Sequence, residues 1–382
     1  MKILTFINVS NRNRIEADSA YIFYNILSKY FTENNKFIIV SPVALTNKKS
    51  IHIYREFGYN KYEVRFSFDW MENEKIIKEI KPDVLLLNQI EQVVNYRALI
   101  ETIGLKTIIA SYAHYIPYRY KDGQVIVDES LNDADLGEIL QLKFLSGLLQ
   151  SDIVFVHSKT ARELINELYK KYLKKFDKNK FIINPPPVDP DLLDNNIYPK
   201  NKIFYNHRLY KHYGTEVFFE IVKNILNNYK LEINVLDVLG ERNEIQNRMD
   251  SSVNDAREII HKMPEINYIT DTFKRDRYRD VIQNSLFSIA PYRENCIWAM
   301  SCVDSMGMGV PVVAPKFAWF QEFMPPDLCY CNIEEAAVII EKLIVDKKFW
   351  EEKSKQARNS VRNLMPRQVA TKFLNVFDNM LK

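Results

Sequence analysis

The sequence predicts an α/β protein made of two doubly wound, Rossmann-like domains facing a central cleft. Three observations carry this expectation. Short apolar runs alternate with amphipathic helical stretches through the first 180 or so residues, the pattern of a parallel sheet covered by helices on both faces. Residues 184–190, NPPPVDP, are too rich in proline to continue a helix or a central strand. Beyond them the alternation begins again. The boundaries that follow are a first domain over 1–187, a second over 188–365, and a C-terminal helix over about 366–382 packing back on the first.

In chain order, strands are expected at 3–9, 36–40, 84–88, 107–111 and 153–157, with helices such as 17–30 and 71–80 between them. Lys81-Pro82-Asp83 and Ser151-Asp152 are breakers that feed buried strands. In the second half the series is strand 203–206, helix 216–227, strand 232–239, helix near 245–262, strand 266–269 and helix 276–283. A strand at 286–290 closed by Pro291, a polar loop, a helix and a strand at 310–314 closed by Pro315 complete the unit. Residues from 332 onward read as helical, and 368–381 is amphipathic without glycine or proline.

With 47% hydrophobic and 26% charged residues over 382 positions, the chain has the make-up of a globular protein large enough for two cores, which excludes disorder and fibre. The nine glycines, about a third of ordinary usage, leave almost no room for glycine-rich phosphate loops. A net charge of +3 implies no general polyanion-binding surface. The four cysteines, Cys296, Cys302, Cys329 and Cys331, have neither zinc-site nor redox-pair spacing and read as reduced thiols in a cytoplasmic protein. The N-terminal apolar run is broken by Asn8, Asn11 and Arg12 and reads as a strand rather than a signal peptide. No run reaches the eighteen apolar residues of a membrane span, so no integral membrane contact is expected.

In open α/β sheets ligands meet the carboxyl ends of the strands. The polar residues placed there are Asn8, Asn88, His114, His157 and Ser158 in the first half, and Asn206 with the loop 292–296 in the second, followed by Asp304 on a helix. Taken singly, each also fits a structural or solvated role.

Together, the two similar domains, the basic strand-to-helix turn NHRLYKHYGTE and the acid-bearing helix ending in GVPVV resemble the retaining GT-B glycosyltransferases of glycosyltransferase family four. That family places a Glu, seven residues and a second Glu ahead of Gly-x-Pro-Val-Val. Anchored on GVPVV, the second position is Asp304 and the first is Cys296, a departure, with Glu294 two residues earlier. The family's diphosphate grip is an Arg, a Lys five residues on, then Gly. Here Arg208 and Gly214 match, Tyr213 stands where the Lys is expected, and Lys211 and His212 lie close by.

The resemblance implies a nucleoside-diphosphate sugar as donor substrate, with no cofactor and no metal. His114, Arg208 and Lys211 form the implied catalytic set. Asn206, His212, Gly214, Tyr292, Glu294, Cys296, Ile297, Trp298 and Asp304 form the donor side, with Asp304 on the ribose and Glu294 or Cys296 on the sugar. Asn8, Ser10, Asn11 and Glu16 take the acceptor side, where the family's glycine-rich loop is replaced by one without glycine. Transfer with retention would proceed by front-face attack, the departing phosphate oxygen taking the acceptor proton. The turn with His114 and His157 is also similar to the subgroup acting on modified nucleosides, such as tRNA-queuosine mannosyltransferases. Phage DNA glycosyltransferases share the architecture. A hydroxylated base in DNA or tRNA is thus one expected acceptor, and a polysaccharide or glycolipid another. An inactive nucleotide-sugar binding module and a sugar-nucleotide epimerase are the readings from other classes.

Overall fold

The computed structural model describes residues 1–7, 15, 18–56, 65–121, 124–128, 137–173, 177–193, 201–236, 251–270 and 274–382. Asn8, Ser10, Asn11 and Glu16 lie outside the described residues. The chain divides into two compact units, Met1–Pro187 with Pro366–Lys382, and Val188–Met365.

The first unit is built on a seven-stranded, all-parallel sheet. Its strands are β1 (Lys2–Phe6), β2 (Lys36–Ser41), β3 (Ile51–Tyr54), β4 (Val84–Leu87), β5 (Ile108–Tyr112), β8 (Ile153–Val156) and β9 (Phe181–Ile183), in the order β3-β2-β1-β4-β5-β8-β9. A hairpin of β6 (Tyr118–Lys121) and β7 (Gln124–Val127) stands apart. β4 and β8 are buried throughout, as helices on both faces require. The helix Ser19–Phe31 starts where the Asp18 carboxylate accepts from the Ala20 and Tyr21 amides, and it buries Phe23, Tyr24, Leu27 and Phe31. The helix Trp70–Ile80, capped by Asp69, stops at Lys81 in the left-handed region just before Pro82. The C-terminal helix Pro366–Leu381 closes this core, with Phe373 packed on Phe155, Phe23 and Phe31 at 4.3, 6.0 and 6.0 Å between ring centroids. Phe373 and Phe377 are fully buried, each worth roughly 1.5–3 kcal/mol against an exposed position.

The second unit repeats the plan with β10 (Lys202–Tyr205), β11 (Glu232–Leu236), β12 (Ile266–Ile269), β13 (Phe287–Ile289), β14 (Val312–Pro315) and β15 (Cys329–Tyr330). The order is β12-β11-β10-β13-β14-β15, again all parallel. The chain reverses direction across the sheet between β10 and β13, the place at which open α/β sheets take their ligands.

Most expected elements are present, most with ends moved by one or two residues; the strand expected at 3–9 ends at Phe6, and residues 8 and 9 lie outside the described residues. β3, the hairpin, β9 and β15 had no counterpart among the expected strands. β3 is a half-exposed edge in which Ile51 and Tyr54 face solvent, so its sequence lacks a buried run. Of the helix expected near 245–262, the described part is Ser252–His261, and strand 232–239 is described to Leu236. No helix among the described residues is long and apolar enough to cross a membrane.

Candidate functional site

The turn after β10 is shaped by its own backbone. The Tyr213 amide donates to the Tyr210 carbonyl at 3.0 Å and the Gly214 amide to that of Lys211 at 2.8 Å, giving one tight turn, Lys211–Tyr213, ahead of the helix Thr215–Asn228. Gly214 has φ +70°, and a Cβ there would lie 2.5 Å from both the Cβ and the carbonyl oxygen of Tyr292. Only glycine meets both demands. The turns following β10 and β13 therefore touch at the switch point of the sheet.

Arg208 is exposed on this turn, and among the described residues its guanidinium has no carboxylate partner. The Lys211 ammonium lies 3.4 Å from the Glu216 carboxylate, both groups more than 70% exposed, a pairing that contributes little to stability. The rings of this segment stack. His207 lies on Tyr213 (4.4 Å, 27°) and His212 on Tyr210 (5.1 Å, 13°). The Arg208 amide donates to Nδ1 of His207 at 2.9 Å, so the ring's proton is on Nε2. Burial, with Arg293, Arg208 and His212 close by, holds its pKa well below the ordinary histidine value.

After β13, the Cys296 amide donates to the Arg293 carbonyl at 3.0 Å, which turns Arg293 and Glu294 to the tip of the loop. Glu294 is exposed. Cys296 is fully buried among apolar side chains, and burial pushes its thiol up to about 11. Of the two candidates for the sugar hydroxyls, Glu294 is thus the one that solvent reaches. Trp298 packs on Trp319 at 4.7 Å while its indole N–H points to the Met300 sulfur at 3.1 Å, and Ile297 beside it is half-buried. Tyr292 meets Phe317 edge-on at 4.9 Å.

Asp304, on the helix Met300–Gly307, is 6% exposed. Its Oδ2 accepts from the Tyr278 hydroxyl at 2.9 Å, and that hydroxyl in turn accepts from the Asn206 amide at the end of β10. Oδ1 is buried and has no hydrogen-bond partner among the described residues. Burial raises the carboxyl to about 6, against the opposing pull of Arg275 and the Tyr278 bond. Arg275 lies 5.1 Å from the Tyr278 ring centroid and donates through Nε to Asp189 at 2.9 Å. The relay from Asn206 through Tyr278 engages Oδ2 alone.

In the first unit, His114 follows β5, packed by Tyr112, His157 and Phe23 at 5.5, 5.8 and 6.1 Å. Its Nδ1 is buried without a hydrogen-bond partner among the described residues. Burial, helped by Arg65, lowers its pKa to about 4, so it is neutral at pH 7. Glu91 is buried and ion-paired to Arg65. Arg97 instead holds Asp152 at 2.7 Å and the Gln150 carbonyl at 2.9 Å, a structural task. No group of His, Cys, Asp and Glu fit for a metal occurs among the described residues.

Sequence reasoning placed Arg208, Gly214, Tyr292 and Asp304 in the second unit, where the structure brings the two turns together. Arg293 and Tyr278, which contact these segments in the structure, were not singled out. Arg293 was visible as the cation of the β13 loop, whereas Tyr278 reads as one more apolar position of an amphipathic helix.

No protein-family model matches the chain, and no curated protein does. Solved structures do match over nearly their whole length. A glycosyltransferase from Rickettsia africae is 15% identical with a TM-score of 0.69, covering 100% of this chain and 98% of its own. Sucrose-phosphate synthase from Thermosynechococcus elongatus is 12% identical with a TM-score of 0.73, covering 100% and 99%. HepE from Anabaena, solved in complex with UDP and glucose, is 12% identical with a TM-score of 0.71, covering 99% and 100%. At these identities the likeness is one of fold: the chain has the α/β architecture of the GT-B glycosyltransferases, two Rossmann-like units.

Proposed function

We propose that the protein is a glycosyltransferase that binds a nucleoside-diphosphate sugar on its Val188–Met365 unit and transfers the sugar, with retention, to an acceptor hydroxyl. The observation that carries this reading is the meeting of the β10 and β13 turns at Gly214 and Tyr292. Arg208, without a carboxylate partner among the described residues, and the exposed Glu294 lie on these two turns, and Asp304 is tied to the end of β10 through Tyr278 and Asn206. A diphosphate would take Arg208, a ribose hydroxyl Asp304, and a sugar hydroxyl Glu294. HepE, of similar fold, was solved with UDP, a nucleoside diphosphate.

Transfer breaks the bond between the anomeric carbon and the phosphate oxygen and forms one to the acceptor oxygen, whose proton passes to that phosphate oxygen. Charge grows on the diphosphate as the bond breaks, and cationic side chains stabilise it without a resident metal. His114, on the first unit, is the neutral hydrogen-bonding group that the resemblance noted in the sequence links to the sugar. The acceptor is either a hydroxylated base in DNA or tRNA, following the resemblance noted in the sequence, or a saccharide, favoured by the likeness to sucrose-phosphate synthase. Incubation with UDP-, GDP- and ADP-sugars, followed by mass spectrometry of DNA, tRNA and glycan acceptors, tests both. Mass added to an acceptor supports transfer; a donor bound but never consumed marks an inactive module, and a donor isomerised without acceptor an epimerase.

A further inference from the structure

We infer that Arg293, presented from the β13 loop on the face of Tyr213, is the second cation of the diphosphate grip beside Arg208. This role rests on the nucleoside-diphosphate reading above.

The second cation expected on the β10 turn is absent from its place, since Tyr213 occupies it. The nearby Lys211 ammonium lies 3.4 Å from the Glu216 carboxylate, both groups exposed. The Tyr213 ring instead carries a cation from elsewhere. The Arg293 guanidinium carbon lies 4.9 Å from the ring centroid, inside the range of a cation–π contact. The same ring is stacked on His207 at 4.4 Å. Arg208 follows His207 in the chain and its amide donates to Nδ1 of that ring at 2.9 Å, so Arg208 and the ring beneath Arg293 adjoin the same imidazole.

The contact of Gly214 with Tyr292 explains how a residue of one loop reaches the other. A Cβ on Gly214 would come within 2.5 Å of Tyr292, the residue before Arg293, so the loops are pressed together where the guanidinium crosses. The chemistry also suits an aromatic substitution. A lysine at this place would be a flexible point charge, whereas an arginine over the tyrosine ring carries a planar fork that can grip phosphate oxygens in pairs. Tyr213 thus becomes the support for a relocated cation.

The test is calorimetric binding of UDP, GDP and ADP, and of uridine, guanosine and adenosine, to the full-length protein. Arg293→Gln is expected to weaken the preferred nucleoside diphosphate about tenfold or more, as the loss of a charge-assisted bond implies, and to leave the matching nucleoside within about twofold. Arg293→Lys, which keeps the charge and loses the fork, is expected to fall between, and carries the test if the glutamine variant folds poorly by circular dichroism. Equal loss for diphosphate and nucleoside, or diphosphate affinity unchanged in Arg293→Gln, overturns the assignment of Arg293 while the functional reading stands. A wild-type protein that binds none of the three diphosphates overturns that reading and this one with it.

Discussion

Replacing Gly214 by alanine separates two costs that the structure assigns to one atom. The residue has φ +70°, where a Cβ costs about 1–2 kcal/mol. The new methyl would also lie 2.5 Å from the Cβ and carbonyl oxygen of Tyr292, and moving that backbone adds about 1–3 kcal/mol. Together these give a loss of about 2–5 kcal/mol, a urea midpoint lower by roughly 1 M or more. Gly104 provides the control. Its φ is +67°, but nothing lies within 4 Å of its Cβ direction, so Gly104→Ala should cost only the backbone term of about 1–2 kcal/mol. Urea unfolding read by tryptophan fluorescence reports mainly the second unit, which holds Trp298, Trp319 and Trp350. Circular dichroism follows the Gly104 variant in the first. Gly214→Ala should also weaken nucleoside diphosphates, because the displaced loop carries Arg293 and Glu294. A Gly214→Ala variant no less stable than Gly104→Ala would refute the close approach of the two turns.

Two further outcomes concern titration. Asp304 is raised from 3.8 to about 6, so its proton is bound more tightly when folded. Its contribution makes the second unit lose stability as pH rises from about 4 to 6, by on the order of 3 kcal/mol. Asp304→Asn should therefore be more stable than wild type at pH 7, an advantage that fades toward pH 4, while it binds nucleoside diphosphate sugar about tenfold or more less tightly; urea midpoints against pH and calorimetry check the two halves. His114 has the opposite sign. With its pKa lowered to about 4, it should make the first unit lose stability as pH falls from about 6.5 to 4, a dependence that His114→Gln removes from the urea midpoint. The same lowering predicts no step in turnover between pH 5 and 7 from this residue.

The fold was legible where burial writes a continuous apolar run. VLLL and IVFV at β4 and β8 are covered on both faces, and the sequence shows them as strands bounded by breakers. β3 and β15 escaped because an edge strand has one solvated side or only two residues, which leaves no periodicity to read. In the candidate site, the positions anchored to glycine and proline were legible as breaks in the pattern, although the close approach of Tyr292 to Gly214 is a contact in space that the sequence does not show. Tyr278 and Arg293 depend on neighbours in space. The partners of Tyr278 are Asn206 and Asp304, on other elements, and the ring beneath Arg293 belongs to the β10 turn. Spacing along the chain carries no mark of such contacts.

The central claim is that the β10 and β13 turns hold a diphosphate whose charge grows during transfer. Its most direct measurement is steady-state release of nucleoside diphosphate from the preferred sugar donor by wild type, Arg208→Ala and Lys211→Ala. If Arg208 stabilises developing charge, its removal should lower kcat by roughly a hundredfold or more with a smaller change in donor affinity, while Lys211→Ala, paired outward with Glu216, should stay within a few-fold of wild type. Equal and small effects of both substitutions on kcat would contradict the account, because the turn would then be ordinary solvated surface.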